Sequence, residues 1–203
     1  WPHASLQPNG VRPISTLVDI TNNMAFHLGR PMHVFDMQKL QGNLKVRQAT
    51  EGETLKALDE QTYVLGSDIA VIADDKGAVS IAGIMGGLES GCTFETTDVF
   101  LESAYFDPVA IAKAGQRLKI ISDSRYRFER GVDPEMVAPA LDLATQMILD
   151  LCGGKASQVI QTGVAPKISK TIAYNPDMVK TLGGMTASKQ EQKNYIQAIA
   201  CTL

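Results

Sequence analysis

Leu17, Ile20, Met24 and Leu28 recur at helical spacing, and Ser15 stands where an N-cap belongs, so a helix is expected from about residue 16. Gly29 ends it as a C′ residue and Pro31 prevents its return. The following RPMHVFD, residues 30–36, reads as a loop or the start of an extended segment. From about 44 to 106 the pattern shortens to β-like pieces: LKVRQA, a turn-rich spacer, IAVIAD, VSIAGIMG and DVFLESAYF. The Asp75–Gly77 segment reads as a tight turn joining two of them in a hairpin. Asp107-Pro108 opens a further helix, with Asp as N-cap and Pro at the first helical position. SDSRYRFERG then reads as a loop.

Asp133-Pro134 repeats the capping signal before an apolar stripe of Val137, Leu141, Ala144, Ile148 and Leu151, which Gly153-Gly154 stops. Pro139 requires that this helix begin near Val137 or kink. After Thr162-Gly163 the composition changes. NPDMVKTLGGM reads as a short helix and a glycine turn, and another helix starts near Lys189. Strands followed by helices without regular βαβ alternation predict an α+β fold, with mixed or antiparallel central β-structure flanked by helices and a truncated helical fragment behind it. The expected division is 1–165 and 166–203.

One strand poses a chemical question. In FLESAYF, residues 100–106, period-two alternation puts Phe100, Glu102, Ala104 and Phe106 on one face and Leu101, Ser103 and Tyr105 on the other. A segment apolar on both faces is expected to be buried. A carboxylate there needs a partner, a raised pKa or a ligand. By itself Glu102 is equally well explained by an ion pair with a nearby arginine.

The same two-sidedness holds for the other polar features near these strands. His33 in PMHVFD serves a structural histidine as well as a reactive one. Gly83, Gly86 and Gly87 fit a bulge as well as a close ligand approach, and AGIMGG lacks the strand-to-helix setting of a phosphate loop. Ser122 and Ser124 can cap a turn, with no nucleophile-elbow context. No metal-ligand spacing accompanies His33 and Glu102.

Charge and cysteine content narrow the classes. The 203 residues are 44% hydrophobic and 20% charged, as in a soluble globular protein, and no apolar run reaches the ~20 residues of a membrane span. Three scattered cysteines, without a C-x-x-C pair, argue against a disulfide scaffold or structural zinc and for a reducing cytoplasm. The net charge of −3 is uneven: residues 166–203 hold five Lys and two acids, so residues 1–165 carry −6. That excludes a general nucleic-acid binder held by a basic face. Six basic residues against two acids between Lys113 and Arg130 form a local exception, read as a solvated surface or a phosphate contact. Without an initiator Met, the chain reads as a piece cut from something longer.

Taken together, NGVRPISTLVDITNNMAFHLGRPMHVFD, AGIMGG, VFLESAYFDPVAI and SDSRYRFERGVDP, in this order, closely resemble the editing domain of the β-subunit of bacterial phenylalanyl-tRNA synthetase over about residues 1–163. The remainder resembles the opening of the next β-subunit module. The resemblance implies a deacylase that hydrolyses tyrosine wrongly attached to tRNA(Phe), with amino-acid activation left to the α-subunit. An activation pocket built for Phe rejects an added hydroxyl only by roughly a hundredfold, so a second site must read that hydroxyl.

Residue by residue, the resemblance makes Glu102 the reader of the tyrosine hydroxyl. His33 becomes the editing-site histidine that orients water or ester, or acts as base. Gly86 lines the pocket, where any side chain would intrude on substrate. Ser122 stands at a usual threonine and Ser124 at a usual small wall residue. Arg125 departs from a usual serine, and Arg117, Arg125 and Arg127 are candidate tRNA contacts.

Hydrolysis by a positioned water is expected, with no metal, thiol nucleophile or cofactor; ATP and magnesium belong to the whole synthetase. The implied partners are the tRNA(Phe) 3′ end carrying tyrosine, the α-subunit and the rest of the β-subunit in an α2β2 assembly, in the cytoplasm and without a membrane. The alternative is a catalytically silent structural or tRNA-positioning module. A freestanding trans-editing or regulatory homologue is a further rival, which the start of another module after residue 165 speaks against.

Overall fold

The computed structural model describes residues 15–167 and 171–199. Residues 1–14, 168–170 and 200–203 lie outside them, and with them the first ten residues, which read as the tail of a preceding connection. Two compact units divide the chain, Trp1–Pro166 and Lys167–Leu203.

In the first unit, α1 (Thr16–His27) starts where Ser15 accepts a hydrogen bond from the Val18 amide, and Gly29 follows it at φ +61°, a conformation that suits glycine. Next come β1 (His33–Asp36), β2 (Lys45–Gln48), β3 (Glu53–Lys56), β4 (Thr62–Leu65), β5 (Ala70–Ala73), β6 (Ala78–Ile81), β7 (Met85–Gly86) and β8 (Val99–Glu102). Then follow α2 (Pro108–Leu118), α3 (Asp123–Phe128) and, after a short 3-10 turn at Pro134–Met136, α4 (Val137–Cys152). The strands form a four-stranded sheet, β2-β5-β6-β7, and two ribbons, β1-β8 and β3-β4, and every pairing is antiparallel. The architecture is α+β, as the pattern predicted.

The β1-β8 ribbon organises the unit. Its register sets His33 opposite Glu102 and Val34 opposite Leu101. One face sends Leu101 into a cluster with Ile20 and Met24 of α1 and Ala144 of α4, and Val34 is buried beside it. Each such side chain contributes ~1.5–3 kcal/mol on full burial. The other face sends Phe35 against Ile72 and Ala82 of the four-stranded sheet. That sheet's own core, with Val71, Ile81 and Ile84, is closed by Ile111 and Ala114 of α2 and Phe128 of α3.

Four expectations need correction. The turn-rich spacer contains the β3-β4 hairpin, whose Leu55 and Leu65 are buried with Tyr63 packed beside them while Thr54, Lys56, Thr62 and Val64 face solvent; Glu60, at φ +66°, closes its turn. SDSRYRFERG is not a loop throughout, because Ser122 caps α3 by accepting from the Arg125 amide, and Arg127–Asp123 and Arg125–Glu129 are paired at i,i+4. The α4 stripe holds through Ala144 and Ile148, with Ala140 buried beside it, but its last member, Leu151, is exposed. Strand β8 is only half-buried, with Phe100 37% exposed. The Pro139 ambiguity resolves into α-helix beginning at Val137, which leaves Pro139 in the first turn, where its missing N–H costs nothing.

In the second unit, α5 (Met178–Thr181) ends in a turn with Gly184 at φ +66°. A capping box of Ser188 and Glu191 opens α6 (Lys189–Ala198). Tyr174 donates its hydroxyl to the Gln192 side-chain carbonyl at 2.6 Å.

Asp107 caps α2 by accepting from the Ala110 amide at 2.8 Å, with Pro108 at N1. Asp107→Ala is expected to cost about 1 kcal/mol in urea unfolding, and Asp107→Asn, which keeps the acceptor, only a few tenths.

Candidate functional site

A cavity of about 390 Å³ opens on the sheet-side face of the β1-β8 ribbon. The ribbon brings His33 and Glu102 to it, β7 brings Gly86, and the start of α3 brings Ser122 and Ser124. Its aromatic wall is Phe106 and Phe128, packed edge to face with centroids 5.2 Å apart. Five residues singled out from sequence thus meet in one place.

His33 is held between ring and backbone. Its imidazole meets Phe35 edge-on, centroids 4.4 Å apart. A Cβ added at Gly86 would come within 2.6 Å of His33 Nε2, so glycine at 86 makes room for the imidazole itself. Nε2 is buried and finds no hydrogen-bond partner among the described residues. Burial depresses the His33 pKa to about 4, so near neutral pH the ring is uncharged.

The same burial acts in the opposite sense on Glu102, raising its pKa to about 7; the charge of Arg30 opposes the rise. The exposure left to Glu102 is consistent with its place on the cavity lining. Near neutral pH it divides between carboxylate, which accepts hydrogen bonds, and carboxylic acid, which also donates one.

The two serines brace the wall behind. Ser122 Oγ donates to the Ile84 carbonyl at 2.7 Å and Ser124 Oγ to the Gly83 carbonyl at 3.0 Å. Their hydroxyls fasten α3 to the turn between β6 and β7. Gly83 has φ +68°, and a Cβ there would lie 2.8 Å from the Phe106 ring.

The arginines are bound within the fold and are absent from the cavity lining. Arg125, 15% exposed, donates to Glu129 at 2.9 Å and to the Ile120 carbonyl, crossing Gly115 of α2. Arg127 donates to the Ala25 carbonyl at 2.8 Å, pairs with Asp123 and stacks on Phe26. Arg117 pairs with Asp68 and is half exposed.

Four residues escaped the sequence reading. Leu58 and Asp59 reach the cavity from the β3-β4 turn, which the spacer's polar character concealed. Arg30 lies behind Glu102, 1% exposed, with hydrogen bonds to the carbonyls of Ala104, at 2.6 Å, and Asp133. Its place beside PMHVFD was the available signal. Phe128 sits inside the RFER motif without having been marked as wall. Among the described residues no group of three His, Cys, Asp or Glu side chains could hold a metal ion, and no helix is long and apolar enough to cross a membrane.

Because the Glu102 pKa is raised on folding, its contribution to stability is fully present below about 4.5 and is lost as pH rises through about 7. His33, with its pKa lowered, gives the reverse: stability present above about 6.5 and lost as pH falls towards 4. Glu102→Gln should therefore gain on the parent chain as pH rises from 4.5 to 7, by on the order of 3 kcal/mol in denaturant unfolding. A pH-independent difference would mean that Glu102 titrates normally.

The sequence profile of the B3/4 domain family matches residues 1–153. The chain is similar to the "Phenylalanine--tRNA ligase beta subunit" of Cereibacter sphaeroides, 53% identical over 203 residues, which are 100% of this chain and 25% of that protein. It is similar to the protein of the same name in Paramagnetospirillum magneticum, 50% identical over the same shares of the two chains. It thus spans about a quarter of the length of these relatives. An N-terminal fragment of the phenylalanyl-tRNA synthetase beta-subunit from Pyrococcus horikoshii has a TM-score of 0.48 and 16% identity, covering 87% of this chain and 53% of the fragment. The chain belongs to the B3/4 domain family.

Proposed function

We propose that this chain carries the editing site of a phenylalanine–tRNA ligase β-subunit and hydrolyses the ester of tyrosine mischarged onto tRNA(Phe). The observation that carries the reading is the cross-strand pair: His33 and Glu102, opposite one another in one register, line a cavity walled by Phe106 and Phe128. A para-hydroxylated ring asks for aromatic and aliphatic contacts around its edge and one strong acceptor at its tip. Glu102 as carboxylate supplies that acceptor. Phenylalanine would leave it unpaired, and an unpaired buried polar group is what drives rejection.

The hydrolytic step needs little more than placement. Water adds to the ester carbonyl, the tetrahedral intermediate collapses, the bond to the terminal ribose oxygen breaks, and that oxygen leaves protonated as the hydroxyl. Neutral His33 accepts a hydrogen bond from the attacking water through Nε2 and aligns it. With a pKa near 4 the imidazole is a weak base, so its role is to orient the water rather than to hold its proton. Backbone N–H groups or the neighbouring ribose hydroxyl serve the developing oxyanion.

In this reading the partners are the tRNA(Phe) 3′ end carrying tyrosine, the α-subunit, which supplies activation with ATP and magnesium, and the rest of the β-subunit, whose next module begins near residue 166. The hydroxyls and guanidinium that depart from the family pattern are used internally: Ser124 on Gly83, Arg125 on Glu129 and Ile120.

Calorimetric titration of the chain should show tyrosine bound roughly tenfold to a hundredfold more tightly than phenylalanine, the range of one charge-assisted hydrogen bond. Glu102→Ala should erase that preference. His33→Ala should keep tyrosine binding but slow deacylation of tyrosyl-tRNA(Phe) by the whole synthetase. Equal binding of the two amino acids by the parent chain would favour a silent module that only positions tRNA.

A further inference from the structure

Arg30 has the largest side chain that the fold buries completely among the described residues, yet it neither lines the cavity nor joins a hydrophobic cluster. Burying a guanidinium is costly unless its charge and its donors are answered. Two donors are answered by backbone, Nη1 by the Ala104 carbonyl at 2.6 Å and Nη2 by the Asp133 carbonyl, while the buried Nε finds no hydrogen-bond partner among the described residues. The first lies two residues beyond Glu102, where β8 ends, and the second lies in the turn that leads into α4. Arg30 itself stands three residues before His33, at the entrance to β1. One side chain therefore spans the point where both strands of the site ribbon meet the helical layer.

The charge is answered by carboxylates. Burial, the larger effect, works against the guanidinium's charge, while Asp133 and Glu102 both favour it, and Arg30 in turn favours the ionised form of Glu102. Among the described residues, the titratable and charged groups facing Glu102 include Arg30 at the entrance to β1, His33 opposite on β1, Asp59 at the cavity lining and Asp133 beyond Arg30. His33 is uncharged near neutrality, so it does not compete for this role.

We propose that Arg30 is a positioning residue of the pocket, a buried guanidinium that clasps the exit of β8 and sets its positive charge beside the Glu102 carboxyl, favouring the hydroxyl-accepting form. The proposal rests on the tyrosine-reading role given to Glu102 above. Without the guanidinium, burial acts unopposed on Glu102. The pocket then holds a protonated acid at neutral pH, which no longer offers the tyrosine hydroxyl a charged acceptor.

The test is a ¹³C NMR titration of the glutamate carboxyls in the full 203-residue chain, with Glu102 assigned by the resonance lost in Glu102→Gln. In Arg30→Gln the Glu102 midpoint should rise by about one pH unit or more, as expected for removal of a nearby opposite charge. Tyrosine binding at pH 7 should weaken by about fivefold, the accompanying loss of carboxylate, and should recover at pH 9. Arg30→Lys, which keeps the charge, should hold the midpoint within a few tenths of the parent.

Where Arg30→Gln does not fold, the unmodified chain still decides. The Arg30 ¹⁵Nε resonance should move with the Glu102 midpoint, and a flat resonance through that range overturns the proposal. A folded Arg30→Gln with an unmoved midpoint does the same, leaving Arg30 a clasp alone. Should the parent chain show no tyrosine preference while the midpoint still follows Arg30, the hydroxyl-reading role has failed and the pairing stands.

Discussion

The arrangement of the first unit depends on one antiparallel register. Pairing His33 with Glu102 and Val34 with Leu101 sorts the ribbon into a face for the helices and a face for the cavity. A slip of one residue would exchange the faces, turning the imidazole and carboxylate towards Ile20 and Met24 and exposing Leu101 to the cavity. The apolar clusters on either side therefore enforce the chemistry of the site without taking part in it. Ser103, donating to the Val137 carbonyl at 2.8 Å, fastens the same strand to the first residue of α4.

A single cause, removal from water, prepares both titratable groups, and it moves them in opposite directions. The imidazole loses its proton more readily and the carboxyl keeps its proton longer. The two would otherwise face each other as an ion pair near neutrality. Instead the ribbon presents a neutral acceptor beside a carboxyl poised between its two forms, and the nearby positive charge of Arg30 tips that balance. Such a pairing of perturbed groups in a cavity is typical of sites that bind or react.

Much of this was legible in the chain. Alternation in FLESAYF put Glu102 on the cavity face and sent Leu101 the other way, but β8 ends at Glu102, and Phe106 reaches the cavity from the irregular segment beyond it. The capping serine and aspartates marked the starts of α1 and α2 and the turn into α4 because a local hydrogen bond determines them. The resemblance read from the motifs agrees with the names of the relatives. What escaped was settled by distant partners. β3 and β4 expose Thr54, Lys56, Thr62 and Val64 and fully bury only two leucines, so little local distinguishes them from a loop. Arg30 went unmarked because its carbonyl partners come from segments that only the fold brings near, and Arg125 read as a solvated charge or a tRNA contact because the helix that pairs it with Glu129 was read as a loop.

The contact between Gly86 and the His33 ring also carries a rule for sequence drift. Position 86 admits no side chain while position 33 keeps its imidazole, because the two compete for one volume. A lineage that abandoned the histidine would remove the sharper of two contacts at 86, leaving Leu58 3.2 Å from a new Cβ. A lineage that gained even an alanine at 86 first would displace the ring before losing it. The pair forms a one-way ratchet, in which the glycine outlasts the site's chemistry but the chemistry cannot outlast the glycine.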